Sequence, residues 1–319
     1  MVGGSTPASC GNHSTGEPQP LPPNVHVPIL SARTGWHTDE LLRALAARGH
    51  TGTIVPYESL VARVAPHSKA ATLAAGPQQL LSAPAVLARI VPNGSLEQII
   101  YRVDALHWLE ERGVKVLNSP RAIERCVDKF YTSALLREAG LDTPETVVCE
   151  RIDDAMAAVR EMGDVIVKPL FGSMGHGMVR VSDPETAFRV FRALEMSRAV
   201  FYLQRVIEHG GSDVRAFVVG KRVVAAIERR ARDGGWRTNI SLGGEARAID
   251  LPPAWSDLAL TAARVVGADY AGVDLLPASD GTVHVIEVNG IPGWSGAQKA
   301  TSVDIAGAIV DHLIATICD

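Results

Sequence analysis

The stretch AGVDLLPASDGTVHVIEVNG, residues 271 to 290, constrains this chain more than any other. It reads as strand, Asp-Gly turn, strand, which is a β-hairpin by its turn chemistry. Side chains alternate faces along a strand, so Val285, Glu287 and Asn289 are expected on one face and His284, Ile286 and Val288 on the other. Asp274 lies in the apolar first strand, and pairing would set it beside Glu287 and Asn289. A bare carboxylate is costly to bury unless something pairs with it. One solution is a hard divalent cation such as Mg²⁺, which takes oxygen ligands and is usually held by one or two carboxylates plus substrate phosphates. The other is a buried network tied to backbone amides, or an Asp turned to solvent.

Two further stretches carry chemistry. In VIVKPLFGSMGHGM, 165 to 178, an apolar strand presents Lys168 and a loop with Gly172, Gly175 and Gly177 follows. Closely spaced glycines let backbone N–H groups surround phosphate oxygens, and a lysine adds a compact charge for them. The loop lacks the GxxxxGK[ST] order and opens into a strand, so it is not a Walker loop. Glycines placed only for hairpin geometry would look the same. In the second stretch, 210 to 245, Asp213 and Arg215 share a strand face, Glu228 and Arg230 share one on the next strand, and Arg237 and Asn239 sit in a polar Gly-rich loop. Arginines aimed at one cleft suit an anionic transition state. A solvated edge hairpin would carry the same charges.

The chain has 319 residues, 46% of them apolar, enough for two or three globular domains. The net charge of −4, without Lys/Arg runs, argues against nucleic acid. Cys10, Cys126, Cys149 and Cys318 are far apart with no CxxC pair, which fits a reducing cytoplasm. Residues 1 to 24, rich in Gly, Ser and Pro, are expected to be a disordered tail and not a signal peptide. The weakly charged stretch from Val64 to Ala88 is broken by Pro66, Lys69, Gly76, Pro77 and Pro84, so no membrane span is expected.

Along the first third, strands at 25 to 31, 51 to 57 and 114 to 119 alternate with helices at 36 to 49, with Thr38 as N-cap, and 95 to 113, with Ser95 as cap. Such alternation predicts a small parallel sheet. The segment 119 to 140 reads as one helix, with Ser before Pro at its start and Gly at its end. Beyond it, strands at 145 to 149, 164 to 169, 178 to 182, 200 to 207, 213 to 219 and 222 to 230 interleave with helices near 152 to 162, 183 to 197 and 253 to 267, which predicts mixed sheets with helices on one face. The expected units are 25 to 118, 119 to 199 and 200 to 319.

From VDKF onward, the order DK, VKP with its glycine loop, GSDVRAFVVG, AAIERRARDGGWRTN, AGVDLL and IEVNGIPGWSGAQKATSVDIAG closely resembles the ATP-grasp ligases, specifically the RimK-type α-L-glutamate ligases. NGSLEQ and VKVLNSP add a weaker likeness. The resemblance implies an α/β (α+β) three-domain ATP-grasp fold, in which a small parallel-sheet domain precedes two mixed domains that clamp ATP. It implies that Lys129, Lys168 and the loop residues Gly172, Ser173, Gly175 and Gly177 face phosphates, that Gln204, Arg205 and Val206 form the adenine-side hinge, and that Asp213 lies near the ribose. Arg237, Thr238 and Asn239 would sit near phosphates and the reacting carboxylate, with Arg237 and Arg215 as catalytic cations. Asp274, Glu287 and Asn289 match the family's metal ligands, for Mg²⁺ or alternatively Mn²⁺.

The implied reaction is amide formation through an acyl-phosphate, with L-glutamate as the amine. The loop KPLFGSMGHG is closer to the branch acting on tetrahydromethanopterin-like cofactors, so a small carboxylate-bearing one-carbon carrier, of the pterin or furan type, is the expected acceptor. A protein or peptide C-terminus, a phosphotransferase and a non-catalytic nucleotide-binding module are the alternatives. Gln204-Arg205 departs from the Gln-Glu common at the hinge, and His176 reads as a loop residue. Relatives of this type imply a homo-oligomer, a dimer or tetramer.

Overall fold

The computed structural model describes residues 24–66, 71–172, 177–231 and 245–318. Its first unit is built on β1 (His26–Ser31), apolar along nearly its whole length and buried on both faces, as the central strand of a parallel sheet must be. β1 pairs in parallel with β2 (Thr51–Pro56). Beyond it come β3 (Leu60–Arg63), β4 (Thr72–Ala75) and β5 (Gln78–Gln79), which form a separate small sheet. β6 (Ala85–Ala88) and β7 (Lys115–Leu117) complete the parallel sheet in the order β2-β1-β6-β7. Helix α1 (Trp36–Ala46) packs Leu41 and Leu45 on the Val27 and Ile29 side, and α2 (Leu96–Glu111) packs Leu106 and Leu109 on the Leu30 and Val86 side.

The predicted parallel sheet is present, with two corrections. The Pro- and Ala-rich segment before α2 contains strands, including the buried β6; Ala85, Val86, Leu87 and Ala88 are inaccessible on both faces and so lack the alternation that marks a half-buried strand. Thr38 is not the N-cap of α1. It lies one turn in, where its Oγ1 accepts from the Gly35 N–H at 2.9 Å. Ser95 does cap α2, and Gln98 reciprocates on the Ser95 N–H at 3.0 Å, a capping box.

The segment expected as one helix is two, α3 (Pro120–Val127) and α4 (Lys129–Glu138). Asp128 between them has extended backbone, and its carboxylate accepts from the Tyr131 N–H at 3.0 Å, so it starts a new helix instead of continuing the old one. Lys129 thereby becomes the first residue of α4.

The second sheet has the order β10-β9-β11-β8, formed by β8 (Thr146–Cys149), β9 (Val165–Lys168), β10 (Val179–Val181) and β11 (Phe201–Arg205). Helices α5 (Ile152–Met162) and α6 (Pro184–Met196) cover the face carrying Val165, Val167, Phe201 and Leu203. The expected boundary near 200 falls at the start of β11, which hydrogen-bonds to β8 and β9, and the chain crosses to the next sheet only after Arg205.

That next sheet is antiparallel, in the order β14-β13-β12-β15-β16: β12 (Ser212–Val219), β13 (Arg222–Arg230), β14 (Glu245–Ala248), β15 (Tyr270–Pro277) and β16 (Val283–Asn289). Helix α7 (Pro253–Val266) covers one face through Val214, Ala216, Val273, Val285 and Val288. The other face packs Phe217, Ile227 and Tyr270 against α1, α8 (Ser295–Ala300) and α9 (Ile305–Cys318). Its remaining end, beyond those apolar residues, carries a polar row. No helix among the described residues is long and apolar enough to cross a membrane.

Candidate functional site

The polar row is positioned by two β-bulges. Val219 pairs with Arg222 across the Gly220-Lys221 turn, and simple counting along that register would set Asp213 opposite Glu228, like charge against like. The register shifts between Phe217 and Val218, and Asp213 instead faces Arg229. Arg229 donates through Nε and Nη2 to both Asp213 oxygens at 2.7 and 2.6 Å. The second shift lies between Asp274 and Leu275, so Asp274 pairs with Glu287 while Leu275 pairs with Val285.

This second bulge corrects the expected alternation. Val285 and Val288 share the core face under α7, and Val285 does not share a face with Glu287. Asp274 and Glu287 are nonetheless direct cross-strand partners, and Asn289 lies opposite Gly272, one step along the same face. Gly272 is needed for close approach, because a Cβ there would come within 3.0 Å of the Pro292 Cβ and 3.5 Å of the Arg215 Cδ.

Asp274 is 5% exposed and held by two guanidinium groups. Arg215 donates to it from Nε and Nη2 at 2.6 and 2.7 Å, and Arg229 Nη2 lies 2.9 Å away. Burial alone would raise the Asp274 carboxyl, but the two arginines outweigh it and hold it at about 2. Arg229, itself only 3% exposed, is the residue that sequence reading missed. It was hidden in the run Glu228-Arg229-Arg230, of which Glu228 accepts from both Arg230 and Arg247 at the sheet's edge.

Glu287 is a contrast. It is half-buried and has neither a hydrogen bond nor an ion pair among the described residues. Its field reaches the two lysines expected at the site, Lys129 and Lys168. Asn289 Oδ1 accepts from the Ile291 N–H at 3.0 Å, which leaves that oxygen a second lone pair.

Across from this row stands the α4-facing side of the second sheet. Lys168 ends β9, is buried, and donates to Gln204 Oε1 at 2.5 Å. Burial lowers its ammonium to about 8, Lys129 adding to the effect and Glu287 and Asp274 opposing it. Lys129 donates to the Leu170 and Gly172 carbonyls at 3.2 and 2.8 Å, tying α4 to the start of the glycine loop, and burial lowers its pKa too. Gly177, at the loop's far end, has φ +74°, the left-handed region that glycine tolerates. Ser173, Gly175 and His176 lie outside the described residues, as do Arg237, Thr238 and Asn239.

At the expected hinge, Gln204 faces Lys168, but Arg205 turns to the opposite side, where Nε meets the Glu145 carboxylate at 2.7 Å and Nη1 the Met162 carbonyl at 2.8 Å. Strand alternation requires that divergence. The Arg205 and Val206 N–H groups pair with the Glu145 and Asp164 carbonyls, so both are committed to the sheet.

Cys126 lines the small cavity between Lys129, Thr132, Ile286 and Glu287. Burial drives its thiol up to about 12, which leaves it unreactive. The native protein treated with iodoacetamide near pH 8 is expected to keep Cys126 unmodified by peptide mass spectrometry until denaturant is added.

Among the described residues, oxygen-only donors with one unpartnered carboxylate fit a hard cation, and a buried ammonium hydrogen-bonded only to a neutral carbonyl fits an anionic phosphate. Residues 126–313 match the RimK-like ATP-grasp domain. The chain is 33% identical to the tetrahydromethanopterin:alpha-L-glutamate ligase of Methanosarcina acetivorans, covering 87% of this chain and 95% of that one. It is 34% identical to a probable alpha-L-glutamate ligase of Trichodesmium erythraeum, over 91% of this chain and 96% of that one. Among solved structures, the ATP-grasp ligase PsnB complexed with minimal precursor, Mg and ADP superposes with a TM-score of 0.72 at 24% identity, over 91% of this chain and 97% of that one, which is a likeness of fold.

Proposed function

Given that this chain belongs to the RimK-like ATP-grasp family, we propose that it is an ATP-dependent ligase that joins L-glutamate through an amide bond to a carboxylate on a small cofactor-like acceptor. The observation that carries this reading is the facing pair of features just described: the row Asp274, Glu287 and Asn289 on one sheet and, on the other, the buried Lys168, which among the described residues is hydrogen-bonded to Gln204 and to no carboxylate. The one-carbon-carrier class of acceptor draws its support from the name of the Methanosarcina relative.

Glu287, Asp274 and Asn289 would hold Mg²⁺, or Mn²⁺ in its place. When bound, that ion would supply charge neutralisation on the transferring phosphoryl group. Lys168 and Lys129 bind phosphate oxygens from the opposite side. The acceptor carboxylate oxygen takes the γ-phosphoryl group and ADP leaves, giving an acyl-phosphate. The glutamate amine attacks its carbonyl carbon, the C–N bond forms, and inorganic phosphate departs with the oxygen that had attacked phosphorus. Arg215 holds Asp274 in place, and Arg237 is assigned to stabilise the anionic tetrahedral species. Cytoplasmic location and homo-oligomeric assembly belong to the same proposal.

The test is ADP release that requires both L-glutamate and an acceptor carboxylate. Dependence on another amino acid would overturn the glutamate assignment, and product carried on a peptide would overturn the small acceptor. A pH prediction accompanies it. Lys168 carries its charge below about 8 and loses it above. MgADP affinity measured by calorimetry is expected to fall as pH rises through that value, and a flat profile to pH 9.5 would remove Lys168 from the phosphate site.

A further inference from the structure

Lys168, Tyr202, Gln204 and Thr146 share one face of the second sheet, because Tyr202 pairs with Lys168 and Gln204 pairs with Thr146. Their hydrogen bonds run in one direction. Thr146 Oγ1 donates to the Pro144 carbonyl at 2.9 Å, so its hydrogen is committed and it can only accept from Gln204 Nε2, 3.2 Å away. Gln204 Nε2 also donates to Tyr202 Oη at 3.3 Å. Tyr202 Oη, having accepted there, has its own hydrogen free for Ser133 Oγ at 3.0 Å on α4. Every donor points away from the lysine. Turning the Gln204 amide over would set its NH₂ against the ammonium and its carbonyl against the Thr146 hydroxyl, whose hydrogen is already given to Pro144.

The orientation matters because Gln204 is otherwise indifferent to which end it presents. Tyr202 and Gln204 are almost fully buried, so water cannot make up a lost partner. Lys168 is thereby held by a neutral oxygen. Among the described residues no carboxylate is hydrogen-bonded to it that would compete with an incoming anion.

We propose that Tyr202 is a positioning residue for nucleotide binding: together with Thr146 it locks the Gln204 amide so that the carbonyl oxygen faces Lys168 and aims the ammonium at the cleft. This rests on the reading of Lys168 as a phosphate ligand. Tyr202 touches no reacting group and acts only through Gln204 and Lys168.

The experiment is a double-mutant cycle on MgADP affinity, measured by calorimetry on the full chain, with turnover measured alongside. Tyr202→Phe is expected to weaken MgADP binding about three- to tenfold, the range of one buried hydrogen bond. The KM for ATP should rise in step while kcat at saturating ATP stays near the unsubstituted value. In a Lys168→Met background the same change should have no further effect. An equal loss in both backgrounds, or no loss in a folded Tyr202→Phe protein, overturns the positioning role. Thr146→Val removes the other acceptor from a half-buried position, should behave alike, and carries the test if the tyrosine variant does not fold. A protein that binds no MgADP at all would overturn the nucleotide reading itself, a different outcome from binding that ignores Tyr202.

Discussion

Replacing Arg229 by Met is expected to destabilise the protein by about 3–5 kcal/mol, the cost of breaking a buried ion pair from one side. Arg229 is the shared cation of Asp213 and Asp274, bonded to both of them. Met keeps much of the volume but leaves two carboxylates facing a site built for a guanidinium. Urea unfolding of the two proteins measures the difference, and an unchanged midpoint would show that the network contributes nothing to stability. The pH dependence has a definite sign. Asp274 has a folded pKa of about 2, below its unfolded value near about 4. Its contribution is therefore complete above about 4 and is lost as pH falls toward 2. Without Arg229 the folded pKa rises, so the Arg229→Met protein should begin acid unfolding at a higher pH.

Glu287→Gln is expected to do the reverse, leaving stability within about 0.5 kcal/mol while turnover falls at least about a hundredfold. The Glu287 carboxylate has no hydrogen bond or ion pair among the described residues, so folding gains little from its charge. Its charge does reach Lys129 and Lys168, as expected of a group serving a ligand between the sheets. ADP release and thermal unfolding on the same preparation separate the two effects. A destabilised protein with normal turnover would make Glu287 a structural residue and remove the proposed cation site. The pair of variants thus distinguishes an acid that stabilises the fold from an acid held for a ligand.

Much of this architecture could be read from residue order because it depends on local chemistry. The Asp-Gly turn and the apolar strands on either side of it define the hairpin that carries Asp274 on one strand and Glu287 on the other. Ser95 and Gln98 define the start of α2, and Gly177 the left-handed end of the glycine loop. The order of motifs was specific enough to mark the family over its second half. Thr38, by contrast, is a residue type that suits a cap, yet the chain geometry before it placed the first turn earlier.

The chain by itself determined the elements, the acid-bearing hairpin and the lysine strand, since period, turn residues and caps act over a few positions. Only the tertiary structure decided that Arg229, and not Glu228, meets Asp213, and that Val285 turns to the core while Glu287 does not. Each choice is made by a one-residue bulge, and a strand accepts a bulge wherever it lets apolar residues reach the helix packed on the sheet. The face a side chain takes is set by that distant packing, which no stretch of a few residues encodes.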